Sequence, residues 1–289
     1  MGGDDERAAE SDSRPEEPTS EAVAAAYDRF AASYAAEIPS NPYNVDMDFP
    51  GTTALVPESG GDRILEAGCG TGLYTGWLLE TGADVVAVDA SREMLAEASD
   101  RVHPGRERPD HPQAQADDTP TPTDPLEADD GPEGTDETHR ADPGTVAFCR
   151  ADLARPLPFA DDAFDGIVSG LVLNYVEDWG PLFAEFARVL RPGGFVVFSV
   201  GHPADEFPLD DEESYFETRQ KTKAWAVEIP YFARPLSAMV NPVLGAGFRL
   251  AELAEPEPTE GFREKRPERY EKESRHPVFV AFRFVLPGD

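Results

Sequence analysis

With 289 residues, the chain is long enough for one large α/β domain with additions, or for two small domains. Its 57 acidic residues against 25 basic ones give a formal net charge of -32. That field argues against a nucleic acid held by its phosphates, which needs clustered Lys and Arg. Two cysteines, Cys69 and Cys149, are too few for a disulfide scaffold, and no apolar run reads as a signal peptide or reaches membrane-spanning length.

The acid load is uneven. Residues 1–20 carry seven acids and two bases, and residues 104–144 carry twelve acids, three bases and eight prolines. Both read as disordered: an acidic tail, and an insertion within one domain spanning 21–286. Setting aside the -5 and -9 of these tracts leaves -18 on the remainder. Only four residues are lysine: Lys221, Lys223, Lys265 and Lys272. This balance fits a cytoplasmic protein of a salt-loving organism, where salt screens dense carboxylates. An acidic partner-binding protein is the alternative.

A helix is predicted from Ser20, with Glu21 in its first turn and Val23, Tyr27, Phe30, Ala31 and Tyr34 at helical spacing. Pro39, Pro42, Pro50 and Pro57 predict loop over 39–61, with at most a short helix around Thr52–Val56. The stretch Ile64–Thr75, ILEAGCGTGLYT, then runs from a strand through Gly68, Gly70 and Gly72 into a helix over Leu73–Glu80. Glycine has no Cβ, so such a turn brings backbone N–H groups and a positive helix end close to a ligand. A dinucleotide fingerprint puts its third glycine five residues after the first, where this chain has Leu73. Glu66, two residues before the first glycine, would repel a pyrophosphate and suits an ammonium. S-adenosylmethionine has an amino group, a sulfonium and no phosphate. A strand-to-helix turn without a ligand is the bland alternative. Val85–Val88 reads as a buried parallel strand ending in Asp89, about twenty residues past the glycines, where an acid accepts ribose hydroxyls.

Ser91 reads as the N-cap of a helix to about Arg101. His103, His111 and His139 lack regular spacing or cysteine partners, so no metal site is expected. Val146–Cys149 is a short buried strand leading to Asp152 and Leu153. Gly166–Ser169 is the fourth strand, Trp179–Leu190 an amphipathic helix and Phe195–Val200 the fifth strand. Residues 201–233 form a mixed segment with Trp225, Tyr231 and Phe232. A helix over Pro235–Gly245 and strands over Phe248–Leu253 and Pro277–Leu286 complete the chain, the last as an antiparallel hairpin partner.

EAGCGTG resembles motif I of the class I S-adenosylmethionine-dependent methyltransferases, whose usual form is E/D-x-G-x-G-x-G. YDRFAASYAAE resembles the helix that caps the cofactor in the small-molecule members. LPFADDAFD is similar to their LPF-x-D-x-x-FD stretch, and RVLRPGGFVVFSV is equally family-like. The resemblance covers about 21–103 and 145–286. It implies a Rossmann-like α/β fold: a seven-stranded, mostly parallel sheet, helices on both faces and an antiparallel last strand. It also implies S-adenosyl-L-methionine as cofactor. Tyr27 and Tyr34 would sit in its cap, with Glu66, Gly68, Cys69 and Gly70 at the turn. Asp89 would take the ribose, Ala90 and Met94 the adenosine, and Asp152 and Leu153 the adenine. Ser169 and Gly170 would border the reactants, and 201–233 would be the substrate lid.

The implied activity is methyl transfer to a small-molecule acceptor. Enzymes that methylate nucleobase amines carry N/D/S-P-P-aromatic where this chain has Ser169-Gly170-Leu171-Val172, so that chemistry loses support. Asn174 stands where many relatives have histidine. His202 and Tyr231 are the candidate catalytic residues. Arg219, Lys221, Lys223 and Arg234 suggest an acceptor bearing a carboxylate or phosphate, although the run also balances the acids at 210–213. The alternatives are a non-catalytic cofactor-binding or partner-binding protein, and a nicotinamide-dependent oxidoreductase. No nucleic-acid or membrane partner is expected.

Overall fold

The computed structural model describes residues 20–104, 144–207, 214–224 and 228–288. The expected disordered tail and insertion, apart from their boundary residues, and Trp225 lie outside these residues. The strands are β1 (Arg63–Ala67), β2 (Asp84–Asp89), β3 (Val146–Arg150), β4 (Phe164–Gly170), β5 (Leu190–Gly201), β6 (Arg219–Ala224), β7 (Glu228–Ala233), β8 (Arg249–Ala254) and β9 (Phe279–Val285). Seven of them form one sheet in the order β3-β2-β1-β4-β5-β9-β8. β3, β2, β1, β4 and β5 pair in parallel, and β9 pairs antiparallel with both β5 and β8. β6 and β7 make a separate antiparallel ribbon. The sheet is the Rossmann-like arrangement that the sequence implies.

Alternation along the strands sends side chains into two apolar layers. Leu65, Val86, Ile167, Val196 and Phe282 join one core. Against it pack α5 (Trp179–Val189), through Leu182, Phe183 and Phe186, and α7 (Leu236–Gly245), through Met239 and Val243. Ile64, Val85, Ala87, Val168 and Val197 face the other way. They meet Tyr74 and Leu78 of α3 (Leu73–Glu80) and Ala98 of α4 (Arg92–Val102). Side chains such as Phe183 and Phe198 have no exposed surface, and each such burial stabilises the fold by roughly 1.5–3 kcal/mol. Local signals agree with the packing. The Asp178 carboxylate accepts from Gly180 N–H at the start of α5, and Ser91 Oγ accepts from Met94 N–H at the start of α4.

The remaining helices are α1 (Ser20–Glu37), α2 (Phe49–Thr53), α6 (Pro203–Glu206), α8 (Glu260–Lys265) and α9 (Pro267–Glu273). Two of these regions depart from the sequence reading. Residues 39–61, expected as loop with at most a short helix around Thr52–Val56, begin instead with a 3-10 turn at Ile38–Ser40, a π turn at Asn44–Asp48, and then α2, which starts earlier than that helix. Pro39 and Pro50 stand second in their helices, within the first turn, where a missing N–H breaks no bond of that helix. The last two strands are not joined by a hairpin. The connection holds α8 and α9, which bury Phe262 and Glu273 against the body.

Strand order reverses between β2-β1 and β4-β5, which opens a crevice at the carboxyl ends of β1 and β4. α1 is drawn over this crevice by its own polar residues. The Asp28 carboxylate accepts from Ser91 Oγ at 2.5 Å and from Glu93 N–H at 3.3 Å, and Ser20 Oγ donates to Asp152 at 2.6 Å. No described helix is long and apolar enough to cross a membrane.

Candidate cofactor and acceptor site

The crevice encloses a cavity of about 720 Å³. The glycine turn forms one wall. Gly68, Gly70 and Gly72 have φ of 78°, 52° and 79°, the left-handed region that side chains avoid. A Cβ on Gly68 would lie 2.4 Å from a Val172 methyl, whereas a Cβ on Gly70 would meet nothing within 4 Å. The turn thus keeps a space open at Gly70 while closing against the β4 loop at Gly68.

Asp89, at the end of β2, also faces the cavity. Its Oδ2 accepts from Gly70 N–H at 2.9 Å and its Oδ1 from Ser91 N–H at 2.8 Å. Burial pushes its pKa up to about 6, against the pull of those N–H groups. Cys69, Ala90, Met94, Asp152 and Leu153 line the same end. The Cys69 thiol is raised by burial, then by Glu66 and Asp89, so it does not serve as a thiolate nucleophile at neutral pH. The Asp152 carboxylate also accepts from Ala154 N–H at 2.9 Å.

Tyr27 and Tyr34 of α1 roof the cavity. Tyr27 Oη donates to Tyr175 Oη at 2.6 Å, and the rings of Tyr27 and Tyr34 meet edge-on at 5.9 Å. Burial raises both phenols well above their ordinary range, so they act as neutral walls.

Three proposed residues stand off the wall. Glu66 points to the α3 side of the sheet, as alternation from Ala67 requires, and its carboxyl accepts from the Thr75 hydroxyl. Burial pushes its pKa up to about 8, so at neutral pH it is mostly uncharged and ill suited to an ammonium. Ser169 is buried and donates to Ala67 C=O at 2.7 Å, leaving its neighbour Gly170 at the cavity. His202 caps α6, with Nδ1 accepting from Ala204 N–H at 3.0 Å and Nε2 lying 2.9 Å from Glu255. Burial lowers its pKa.

Tyr231 does reach the cavity and donates to Glu206 Oε2 at 2.7 Å. Burial, then Glu206, raises the phenol far above its ordinary value, so it remains a hydrogen-bonding group and not a base at neutral pH. Lys221 and Lys223, on β6, line the same end. The Lys221 ammonium bonds Glu206 C=O and lies 5.1 Å from the Phe207 ring centre, and Lys223 lies 4.8 Å from that of Tyr231. Arg219 and Arg234 are elsewhere. Arg234 is buried, donates to the carbonyls of Val176, Glu177 and Phe232, and stacks 4.9 Å from Trp179.

Sequence reading misses Asp48. It lies on the cavity wall with 2% exposure, accepting from Tyr74 Oη at 2.8 Å, Thr52 Oγ1 at 3.2 Å and the Ser199 hydroxyl. Ser199 Oγ in turn accepts from the N–H of Leu171, a cavity residue held at φ 56°. No local pattern signals Asp48, because its partners come from α2, α3 and β5.

Similar proteins place the fold. Residues 21–237 match the methyltransferase domain family. The demethylmenaquinone methyltransferase of Clavibacter sepedonicus is 33% identical over 146 residues, 50% of this chain and 44% of that protein. The malonyl-[acyl-carrier protein] O-methyltransferase of Pectobacterium atrosepticum is 27% identical over 146 residues, 50% of this chain and 41% of that protein. The chain thus spans less than half the length of these relatives. A crystal structure of an S-adenosylmethionine-dependent methyltransferase from Mesorhizobium loti is 25% identical, with a TM-score of 0.62 over 86% of this chain and 99% of that one. The chain belongs to the methyltransferase domain family, on the class I S-adenosylmethionine-dependent fold.

Proposed function

We propose that this methyltransferase moves a methyl group from S-adenosylmethionine to a small acceptor held in the same cavity. The observation that carries this reading is the cavity itself. It joins the Gly70–Asp89 unit at one end to Asp48, Asn174, Tyr231 and the β6 lysines at the other. The residues fit the cofactor. Gly70 leaves open space, Asp89 offers carboxylate oxygens for a diol, and among the described residues no Lys or Arg lines the glycine turn to favour a pyrophosphate. The last point weighs against a nicotinamide dinucleotide. When bound, S-adenosylmethionine supplies an electrophilic methyl on a positively charged sulfur.

The chain's own part is alignment and exclusion of water, which can supply much of the acceleration of such a transfer. Met94, Leu153 and the α1 tyrosines would enclose the adenosyl end, and Asp89 would fix the ribose. The acceptor would enter between β4 and the β6–β7 ribbon, with the described parts of 201–233 as its cover. The name of one relative, a demethylmenaquinone methyltransferase, supports an acceptor of low molecular weight. Lys221 and Lys223 support an acceptor with an anionic group, which leaves Arg219 and Arg234 out of that role. His202 and Ser169 act, on this reading, by holding α6 and β4 in place.

The test is calorimetric titration of the purified protein with S-adenosylmethionine in molar KCl. Formation of S-adenosylhomocysteine is then followed across a panel of small metabolites. Binding with turnover is expected. Binding without turnover of any acceptor would favour a non-catalytic protein, and absence of binding would defeat the reading.

A further inference from the structure

From Asp48 we infer the acceptor class: a small amine with an anionic group at its far end, its ammonium nitrogen held by the Asp48 carboxylate. This rests on the methyltransferase reading and names the substrate of that site.

Asp48 is a buried carboxyl on a ligand cavity whose described partners are all hydroxyls. None of its bonds comes from Lys, Arg or His, so no described cation neutralises it. Burying an ionised carboxylate without a counter-charge is costly, and hydroxyl donors offset only part of that cost. Burial raises its pKa to about 6, which leaves it mostly ionised at neutral pH. A cationic ligand would complete the site. Tyr74, whose hydroxyl bonds Asp48, also lines the cavity and sets an aromatic ring beside the carboxylate, a surrounding that accepts an ammonium and not a second anion.

Different elements hold Asp48 and Asp89. Ser199 of β5 and Tyr74 hold Asp48, and the Tyr74 ring packs where a Cβ on Gly170 would sit, 2.2 Å away. Asp48 therefore lies over the carboxyl ends of β4 and β5, whereas Asp89 and Met94 lie beyond β2. Lys221 and Lys223 stand on the β6–β7 ribbon, Lys221 directly across from Tyr231. Asp205 and Glu206 also line the cavity, and the Glu206 carboxylate accepts from Tyr231; the Asp48 carboxylate on the wall and the ammonium groups on the ribbon match a zwitterion read from both ends.

The transfer balances on these groups. The bound ammonium gives one proton to the Asp48 carboxylate, the neutral amine turns so that an N–H faces Asp48, and the freed lone pair, now aimed at the methyl, forms the new C–N bond. The C–S bond breaks with its electron pair left on sulfur, which becomes neutral. The product leaves as a methylated ammonium, and the Asp48 proton passes to water.

The experiment compares ω-amino carboxylates and ω-aminoalkyl phosphates of two to six carbons with their ω-hydroxy counterparts. Each is titrated calorimetrically into the protein saturated with S-adenosylhomocysteine. A charge-assisted bond to a buried carboxylate should make the best amine bind at least about tenfold tighter than its hydroxy counterpart. Asp48→Asn should lose that preference while binding S-adenosylmethionine as the parent does. Equal binding of amine and hydroxy compounds to the parent, or no detectable binding of any of them, would overturn the inference. So would an Asp48→Asn protein whose main loss is S-adenosylmethionine affinity. The parent comparison needs no variant, so it decides even if Asp48→Asn fails to fold. A parent that does not bind S-adenosylmethionine defeats the methyltransferase reading instead.

Discussion

Gly70 N–H donates to Asp89 Oδ2 at 2.9 Å, so the glycine turn after β1 and the acid at the end of β2 form one hydrogen-bonded unit. The turn fixes the carboxylate, and the carboxylate fixes the turn. A ligand that bonds Asp89 therefore meets an acid already oriented, with less ordering left to do on binding.

Asp89→Ala removes both the ligand contact and the partner of Gly70 N–H. A charged hydrogen bond is worth about 1.5–3 kcal/mol, so S-adenosylmethionine affinity should fall at least about tenfold. Calorimetry on the folded variant checks this, and unchanged affinity would take Asp89 out of the site.

Glu66 carries a pH signature. Its ordinary pKa of 4.5 rises to about 8 in the fold because of burial. A raised carboxyl pKa means the folded state binds the proton more tightly. The stability it contributes is full below pH 4.5 and is lost as the pH climbs through about 8. Glu66→Gln removes that titration while keeping a partner for Thr75. The melting temperature of the variant minus that of the parent should therefore rise between pH 5.5 and pH 8.5. Taking the difference cancels the similar titrations of Asp48 and Asp89. A flat difference would show that Glu66 stays ionised in the fold.

Arg234 invites a substrate role in sequence and has a structural one in the fold. Its guanidinium caps the carbonyls of Val176 and Glu177 and stacks on Trp179. Lysine cannot reproduce that planar fork, and each buried carbonyl left unsatisfied costs about 1–3 kcal/mol. Arg234→Lys should lower the melting temperature. Unchanged stability with a changed acceptor preference would return Arg234 to the substrate.

The glycine turn and Asp89 stand out in the sequence because they are close along the chain. Arg63 to Asp89 is one strand-turn-helix-strand unit, and Met94 follows its own N-cap. The sheet is legible for a similar reason: runs such as Val85–Val88 and Phe195–Val200 can only be buried. The acceptor end is assembled from distant pieces. Asp48 sits in a stretch whose prolines suggest loop, yet Pro39 and Pro50 lie in first helical turns. His202 stands after a strand where a catalytic group would be apt, but Glu255, over fifty residues on, claims its Nε2. α8 escapes notice because Phe262 is its one buried side chain, too little for an apolar stripe.

Salt should matter for the whole fold. The chain carries -32, and the Debye length shrinks from about 30 Å at 0.01 M to about 3 Å at 1 M. Self-repulsion should therefore weaken with added KCl, and the melting temperature should rise from dilute buffer to molar KCl. No rise would count against the salt-adapted reading of the composition.

The connection between β8 and β9 should set acceptor binding from a distance. α8 and α9 brace the segment that carries Asp48. Phe262 is fully buried, with its ring 5.0 Å from that of Tyr43, a cavity residue. Thr259 N–H donates to Asp46 C=O at 3.0 Å, and Lys265 Nζ lies 2.6 Å from Asp46 Oδ2, two residues before Asp48. Tyr43 Oη donates to the buried Glu273 carboxylate at 3.1 Å. The other cavity end rests on β1, β2 and α4, whereas α8 packs chiefly on α9 and the Asn44–Asp48 turn. Truncating a buried phenylalanine costs about 3–5 kcal/mol, so Phe262→Ala should lower the melting temperature clearly. Lys265→Ala should cost little stability, since both partners are partly exposed. Both variants should raise the acceptor KM severalfold and leave S-adenosylmethionine affinity near the parent value, because they loosen Asp48 and Tyr43 and spare Gly70 and Asp89. Lys265→Ala is the decisive member of the pair. If its acceptor kinetics match the parent while Phe262→Ala merely melts earlier, the connection is a stabilising cover with no hold on the site.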